Sequence, residues 1–77
     1  MTISEDDAAR FREAGPTRWT LENVADVYRI ALLTGEPPTK AVESTFGIPR
    51  STAGRWVAAA REQGFLGRAE GAGKAGV

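Results

Sequence analysis

A chain of 77 residues is long enough for one domain with a small hydrophobic core. It contains neither cysteine nor histidine, which excludes disulfides, thiolate nucleophiles and the usual zinc ligands and removes the commonest general base. The composition therefore predicts no enzyme, no metal and no cofactor. The lack of a long apolar run or of a signal peptide predicts a cytoplasmic protein with no membrane partner.

Basic and acidic residues are equal in number but unevenly distributed along the chain. Residues 1–36 hold four arginines against seven acidic residues, whereas residues 37–77 hold six basic residues against three acidic ones. Such an asymmetry is typical of a protein whose basic half meets an anionic partner. The C-terminal half is therefore the part in which a binding site is expected.

Residues 1–19 form an acidic segment in which one short helix is predicted. Ser4 is a suitable N-cap because three acidic side chains follow it in what would be the first helical turn. Gly15 and Pro16 end the segment. The pattern predicts a helix over residues 5–14.

The longest predicted helix covers residues 21–34, with Thr20 as its N-cap and Gly35 after its end. Its apolar residues recur at helical spacing and cover a broad face. They are Leu21, Val24, Ala25, Val27, Tyr28, Ile30, Ala31, Leu32 and Leu33. Such breadth predicts burial on two sides, the second of which meets either the N-terminal segment or another copy of the chain.

Two prolines precede a shorter predicted helix over residues 40–46, for which Thr39 is the expected N-cap. Gly47 follows as a residue suited to a left-handed turn. Ile48 is the apolar residue expected to be buried beneath that turn. The pattern predicts two helices joined by a tight glycine turn.

The last predicted helix covers residues 50–63, with Pro49 at its first position and Gly64 after its end. Its apolar residues are spaced to form one core face, made by Ala53, Trp56, Val57 and Ala60. The opposite face begins with short polar residues and two arginines, Arg50 and Arg55.

A long helix followed by two short helices and a tight turn is the helix-turn-helix arrangement, whose last helix lies in the DNA major groove. The string GIPRSTAGRW resembles the turn and recognition helix of helix-turn-helix DNA-binding domains, and residues 21–67 resemble small, mostly uncharacterised helix-turn-helix proteins of high-GC bacteria. The resemblance implies a mainly α bundle of three to four helices, with residues 20–66 as the DNA-binding domain. It also implies a transcriptional regulator that binds specific double-stranded DNA.

The leading end of a recognition helix must come close to DNA, so it needs small side chains, with long basic ones to reach phosphates or guanine. Residues at the start of the preceding helix, and in the tail, would fix the register by backbone contacts. The predicted DNA-contacting residues are Thr39, Lys40, Pro49, Arg50, Ser51, Thr52, Gly54, Arg55, Ala58, Arg68 and Lys74.

One such domain makes few phosphate contacts, so specific binding predicts a homodimer on a two-part site. The broad apolar face of the helix over residues 21–34 is the candidate interface. The pattern makes no prediction about a small-molecule effector.

The tail, residues 67–77, lacks a helical pattern. The string GFLGRAEGAGKAGV is similar to the wing of GntR-type winged-helix regulators. The resemblance implies a short β-hairpin that places Arg68 and Lys74 near the phosphate backbone. A flexible end is the alternative.

Glu43 occupies a position at which helix-turn-helix motifs usually carry alanine, where the two helices cross. A carboxylate cannot sit in a tight crossing without a partner. Three outcomes follow: the crossing is looser, Glu43 turns outward, or Lys40 or an arginine pairs with it.

A second function is also open, in which the helix-turn-helix is a docking platform for another protein, as in phage packaging or recombination. The acidic N-terminal half of the chain fits that interpretation. An open positive face at Arg50 and Arg55 would favour DNA, whereas acidic side chains over that face would favour a protein partner.

Overall fold

The computed structural model describes residues 3–66, which form four α-helices joined by short turns. The helices are α1 (Glu5–Ala14), α2 (Arg18–Thr34), α3 (Pro38–Phe46) and α4 (Arg50–Glu62). The mainly α fold is therefore confirmed for this part of the chain, which contains no strand. The wing predicted for residues 67–77, with Arg68 and Lys74, lies outside the described residues.

The core is built where α2, α3 and α4 pack against one another and α1 packs on α3. Phe46, at the end of α3, has no exposed surface. Its ring meets Phe11 of α1 nearly edge-on, with ring centroids 5.3 Å apart, and Trp56 of α4 at 6.1 Å. Three helices are thus joined through one aromatic cluster. Within residues 3–66, no helix has the length and apolar character needed to span a membrane.

Helix α2 begins earlier than predicted, at Arg18, and its N-cap is Thr17. The Thr17 Oγ1 accepts a hydrogen bond from the Thr20 N–H at 3.2 Å. Thr20 itself is fully buried, with its hydroxyl 3.2 Å from that of Thr17. The prediction of Thr20 as the cap was wrong because the extra turn brings Trp19 onto Phe11, with ring centroids 4.1 Å apart.

The start of α3 also differs from the prediction. Pro37 is the N-cap, Pro38 is the first helical residue, and no side chain caps the helix, so Thr39 is not the cap. Proline suits a first position because its φ is already helical and its missing N–H has no intrahelical partner. Pro49, predicted at the first position of α4, is instead the N-cap of that helix.

Thr17 and Thr39 form a matched pair for testing the cap assignment. We expect Thr17→Ala to lower the free energy of unfolding by about 1 kcal/mol, because the Thr20 N–H loses its acceptor. Thr39→Ala should change it by less than about 0.5 kcal/mol. Urea unfolding followed by far-UV circular dichroism measures both, and equal losses would contradict the assignment of Thr17 as the cap.

Candidate functional site

The turn between α3 and α4 consists of residues 47–49 and has little freedom. Gly47 has φ 66° and ψ 41°, the left-handed conformation predicted for it. Its N–H and that of Ile48 both donate to the carbonyl of Glu43, the second at 3.2 Å. Ile48 is buried beneath the turn, as predicted. These contacts fix the point from which α4 starts.

Helix α4 has one buried and one exposed face. The predicted core residues Ala53, Trp56, Val57 and Ala60 are all buried. Successive residues of an α-helix are rotated by about 100°, which places Ser51, Gly54 and Ala58 together on the other side. All three are exposed, as are Arg50 and Arg55 at the two edges of this face. The outer face of residues 50–58 therefore presents a floor of short side chains between two arginines.

The basic residues of the two halves of the fold have different partners. Three of the four arginines of α1 and α2, Arg12, Arg18 and Arg29, form ion pairs with Glu5, Glu22 and Asp26 at 2.8, 3.1 and 2.8 Å, and the fourth, Arg10, is exposed. In α3 and α4 no basic side chain pairs with an acid among residues 3–66. Lys40 and Arg50 are exposed. The guanidinium of Arg55 contacts Thr52 Oγ1, at 3.4 Å.

The N-termini of the helices also differ between the first two helices and the last two. Helices α1 and α2 are capped by the side chains of Ser4 and Thr17. Helices α3 and α4 start after Pro37 and Pro49, and neither has a side-chain cap. The first N–H groups of a helix have no intrahelical partner, and they carry the positive end of the helix dipole. In α1 and α2 the cap accepts one of these donors, whereas in α3 and α4 no capping side chain accepts any, which leaves the donors of the first turn to an external acceptor.

Glu43, the residue unusual for a helix crossing, is half-buried. Its carboxylate forms no ion pair within the described range, so neither Lys40 nor an arginine there pairs with it. Partial exposure leaves the carboxylate access to solvent, which avoids the cost of burying an unpaired charge.

Sequence reasoning missed one residue next to this site, Arg12. Its Nη1 donates to the carbonyl oxygen of Phe46 at 2.8 Å, across 34 positions of sequence. Its Nη2 lies 2.8 Å from Glu5 Oε2. No local pattern in the sequence signals a contact between residues so far apart.

Of the eleven predicted contact residues, nine lie in the described part of the chain. Thr39 and Lys40 are in the first helical turn of α3, Pro49 is in the turn between α3 and α4, and the others belong to α4.

No family model, no curated protein and no solved structure matches this chain.

Proposed function

We propose that this chain binds specific double-stranded DNA as a cytoplasmic transcriptional regulator, with α3 and α4 as its helix-turn-helix and residues 50–58 in the major groove. The observation that carries the proposal is the outer face of α4, where short side chains lie between Arg50 and Arg55. A helix comes close to base edges only if the side chains facing the groove are short. Arginine is the residue whose paired donors match the O6 and N7 acceptors of guanine.

Phosphate contacts would come from the starts of the two helices. The N–H groups of the first turn of α4, at Arg50, Ser51 and Thr52, are suited to a phosphate oxygen because no side chain caps that helix. Thr39 and Lys40 occupy the equivalent turn of α3. Contacts of this kind hold the protein in register on the duplex, while Arg50 and Arg55 read bases.

The alternative, a docking platform for another protein, has less support from the same surface. Residues 50–61 contain three arginines and no acidic residue. Two of these arginines, Arg50 and Arg55, are exposed and lack an acidic partner in residues 3–66. Because an open cationic surface attracts a polyanion, DNA is the favoured partner.

The test is fluorescence anisotropy with labelled duplexes, one of random sequence and one from the region upstream of the protein's own gene. If each chain neutralises about three phosphates, raising the salt from about 50 to about 200 mM should weaken binding roughly 40-fold. Absence of binding to either duplex at low salt would overturn the proposal. The helix-turn-helix would then be better explained as a scaffold for a protein partner.

We further propose that the chain binds DNA as a homodimer through the outer side of α2. Leu33 is 86 % exposed and Leu32 40 %, which is unusual for leucines in so small a protein. Beside them, a half-open groove of about 240 Å³ lies between α2 and α3, lined in part by Ile30, Ala31 and Ala41. Because Leu33 and Ile30 are neighbours on the helix surface, a two-fold axis would let each Leu33 enter the groove of the other copy.

Leu33→Glu should convert the dimer into a monomer without affecting the fold, because a charge at this position faces solvent in the single chain. Leu33→Met keeps the apolar surface and should keep the dimer. Light scattering at high protein concentration, with and without DNA, gives the mass of each species. A wild-type chain that stays monomeric under both conditions would contradict this interface.

A further inference from the structure

Arg12 links the N-terminal helix to the turn that precedes α4. Phe46 is the last residue of α3, and its carbonyl is one of those that a helix C-terminus leaves without an intrahelical partner. The Nη1 of Arg12 donates to this oxygen at 2.8 Å, while Nη2 is held by Glu5 at 2.8 Å. The side chain is two-thirds buried, with 34 % of its surface exposed.

The guanidinium also packs directly against the turn. A Cβ placed on Gly47 would lie 2.8 Å from Arg12 Nη1, so the glycine leaves room for this side chain. A hydrogen bond from a charged donor is stronger than a neutral one, and a cation at a helix C-terminus is favoured by the helix dipole. Two observations, the bond to Phe46 and the space at Gly47, therefore place Arg12 as part of the turn.

The backbone N–H groups of the turn and the carbonyl that precedes it have hydrogen-bond partners in different helices, α3 and α1. Within the turn, the Gly47 and Ile48 N–H groups donate to the Glu43 carbonyl. From outside, Arg12 holds the Phe46 carbonyl. Helix α4 starts four residues after Phe46, so any change in the backbone of the turn changes where Arg50 and Ser51 point.

We propose that Arg12 is a positioning residue, through which α1 fixes the turn and hence the DNA-facing end of α4. The part of this inference that concerns DNA rests on the proposed function, whereas the part that concerns the turn does not. In this proposal the acidic N-terminal segment orients the DNA-binding surface through Arg12, although none of the proposed DNA contacts is made by a side chain of that segment.

The experiment combines amide hydrogen exchange by NMR with DNA affinity for Arg12→Met. We expect exchange of the Gly47 and Ile48 amides to become about tenfold faster or more, because local opening of the turn costs less without the charged donor. DNA affinity should fall about threefold to tenfold, since a misplaced leading end weakens several contacts together. Arg12→Lys should restore part of the amide protection and part of the DNA affinity, because lysine supplies a charged donor but lacks the planar, two-pronged guanidinium of arginine.

Two control variants separate positioning from charge and from stability. Arg10→Met removes the same charge from an exposed arginine of the same helix, and should change both measurements less than twofold. Val24→Ala removes buried methyl groups from α2 and leaves the Arg12 side chain in place, so it should speed exchange chiefly through global unfolding.

The outcomes are distinct. The inference is overturned if Arg12→Met leaves the turn amides unchanged, if it speeds turn and α2 amides equally, or if Val24→Ala weakens DNA binding as much. Faster turn exchange with unchanged DNA affinity overturns the link to binding. If the wild type binds no DNA, the proposed function fails, and the exchange result alone supports or overturns the positioning of the turn.

Discussion

Arg55→Ala is expected to weaken DNA binding about fivefold to 150-fold while leaving the fold intact. The range corresponds to a loss of about 1–3 kcal/mol for an arginine that reads a base. Stability should change by less than about 0.5 kcal/mol, because the side chain is exposed and its guanidinium contacts Thr52 Oγ1 at 3.4 Å.

The salt dependence of binding by this variant separates the two ways in which Arg55 can contact DNA. If Arg55 binds a phosphate, the slope of log affinity against log salt falls by about 1, and the loss is the same for every duplex. If it reads a base, the loss is larger on the specific duplex than on random DNA, and the slope changes less. Anisotropy titrations at three or more salt concentrations measure both quantities.

Arg10→Ala is the matched control for Arg55→Ala, because it removes the same charge from an exposed arginine in α1. It should weaken binding only slightly, through the reduced net charge. Equal losses in the two variants would mean that binding depends on overall charge and would contradict a contact surface centred on α4.

Phe46→Ala is expected to lower the free energy of unfolding by about 3–5 kcal/mol. Phe46 has no exposed surface and meets both Phe11 and Trp56, so its removal leaves a cavity where α1, α3 and α4 join. A domain of this size is stable by only roughly 4–12 kcal/mol. The variant should therefore be partly unfolded at room temperature or unfold at a much lower urea concentration.

Trp19→Ala is the matched aromatic control for Phe46→Ala. The Trp19 ring packs on Phe11 but remains 47 % exposed, so its removal costs contact area without opening a closed cavity. We expect a loss of about 1–2 kcal/mol. Urea denaturation of both variants, followed by far-UV circular dichroism, gives the comparison. A loss for Trp19→Ala as large as that for Phe46→Ala would contradict a core centred on Phe46.

Local signals in the sequence were sufficient for α1, α4 and the turn of the candidate site, whereas α2 and α3 begin three and two residues earlier than predicted. The helices over residues 5–14 and 50–63 agree with α1 and α4 to within one residue. The left-handed Gly47 and the buried face of α4 also agree. These features depend on residues within one or two helical turns of one another, and spacing and turn chemistry encode such relations directly.

Where the sequence offers two residues equally suited to one role, the tertiary structure decides which of them takes it. Thr17 and Thr20 are both good caps, and the packing of Trp19 on Phe11 decides between them. The apolar face of α2 was too broad to show which side is buried, and contact with α3 and α4 covers Val27 while leaving Leu33 exposed. Periodicity gives the width of a face, but the neighbouring helices decide which part of it is covered.

The sequence by itself determined the helices, the turn between α3 and α4, and the unequal distribution of charge along the chain, because each of these is a property of neighbouring residues. The ion pairs of Arg18 with Glu22, of Arg29 with Asp26 and of Arg12 with Glu5 each lie within one helix. Only the tertiary structure brings Arg12 to the Phe46 carbonyl, 34 positions away. A side chain's partner across such a distance depends on how the helices pack, and no spacing rule within one helix contains that information.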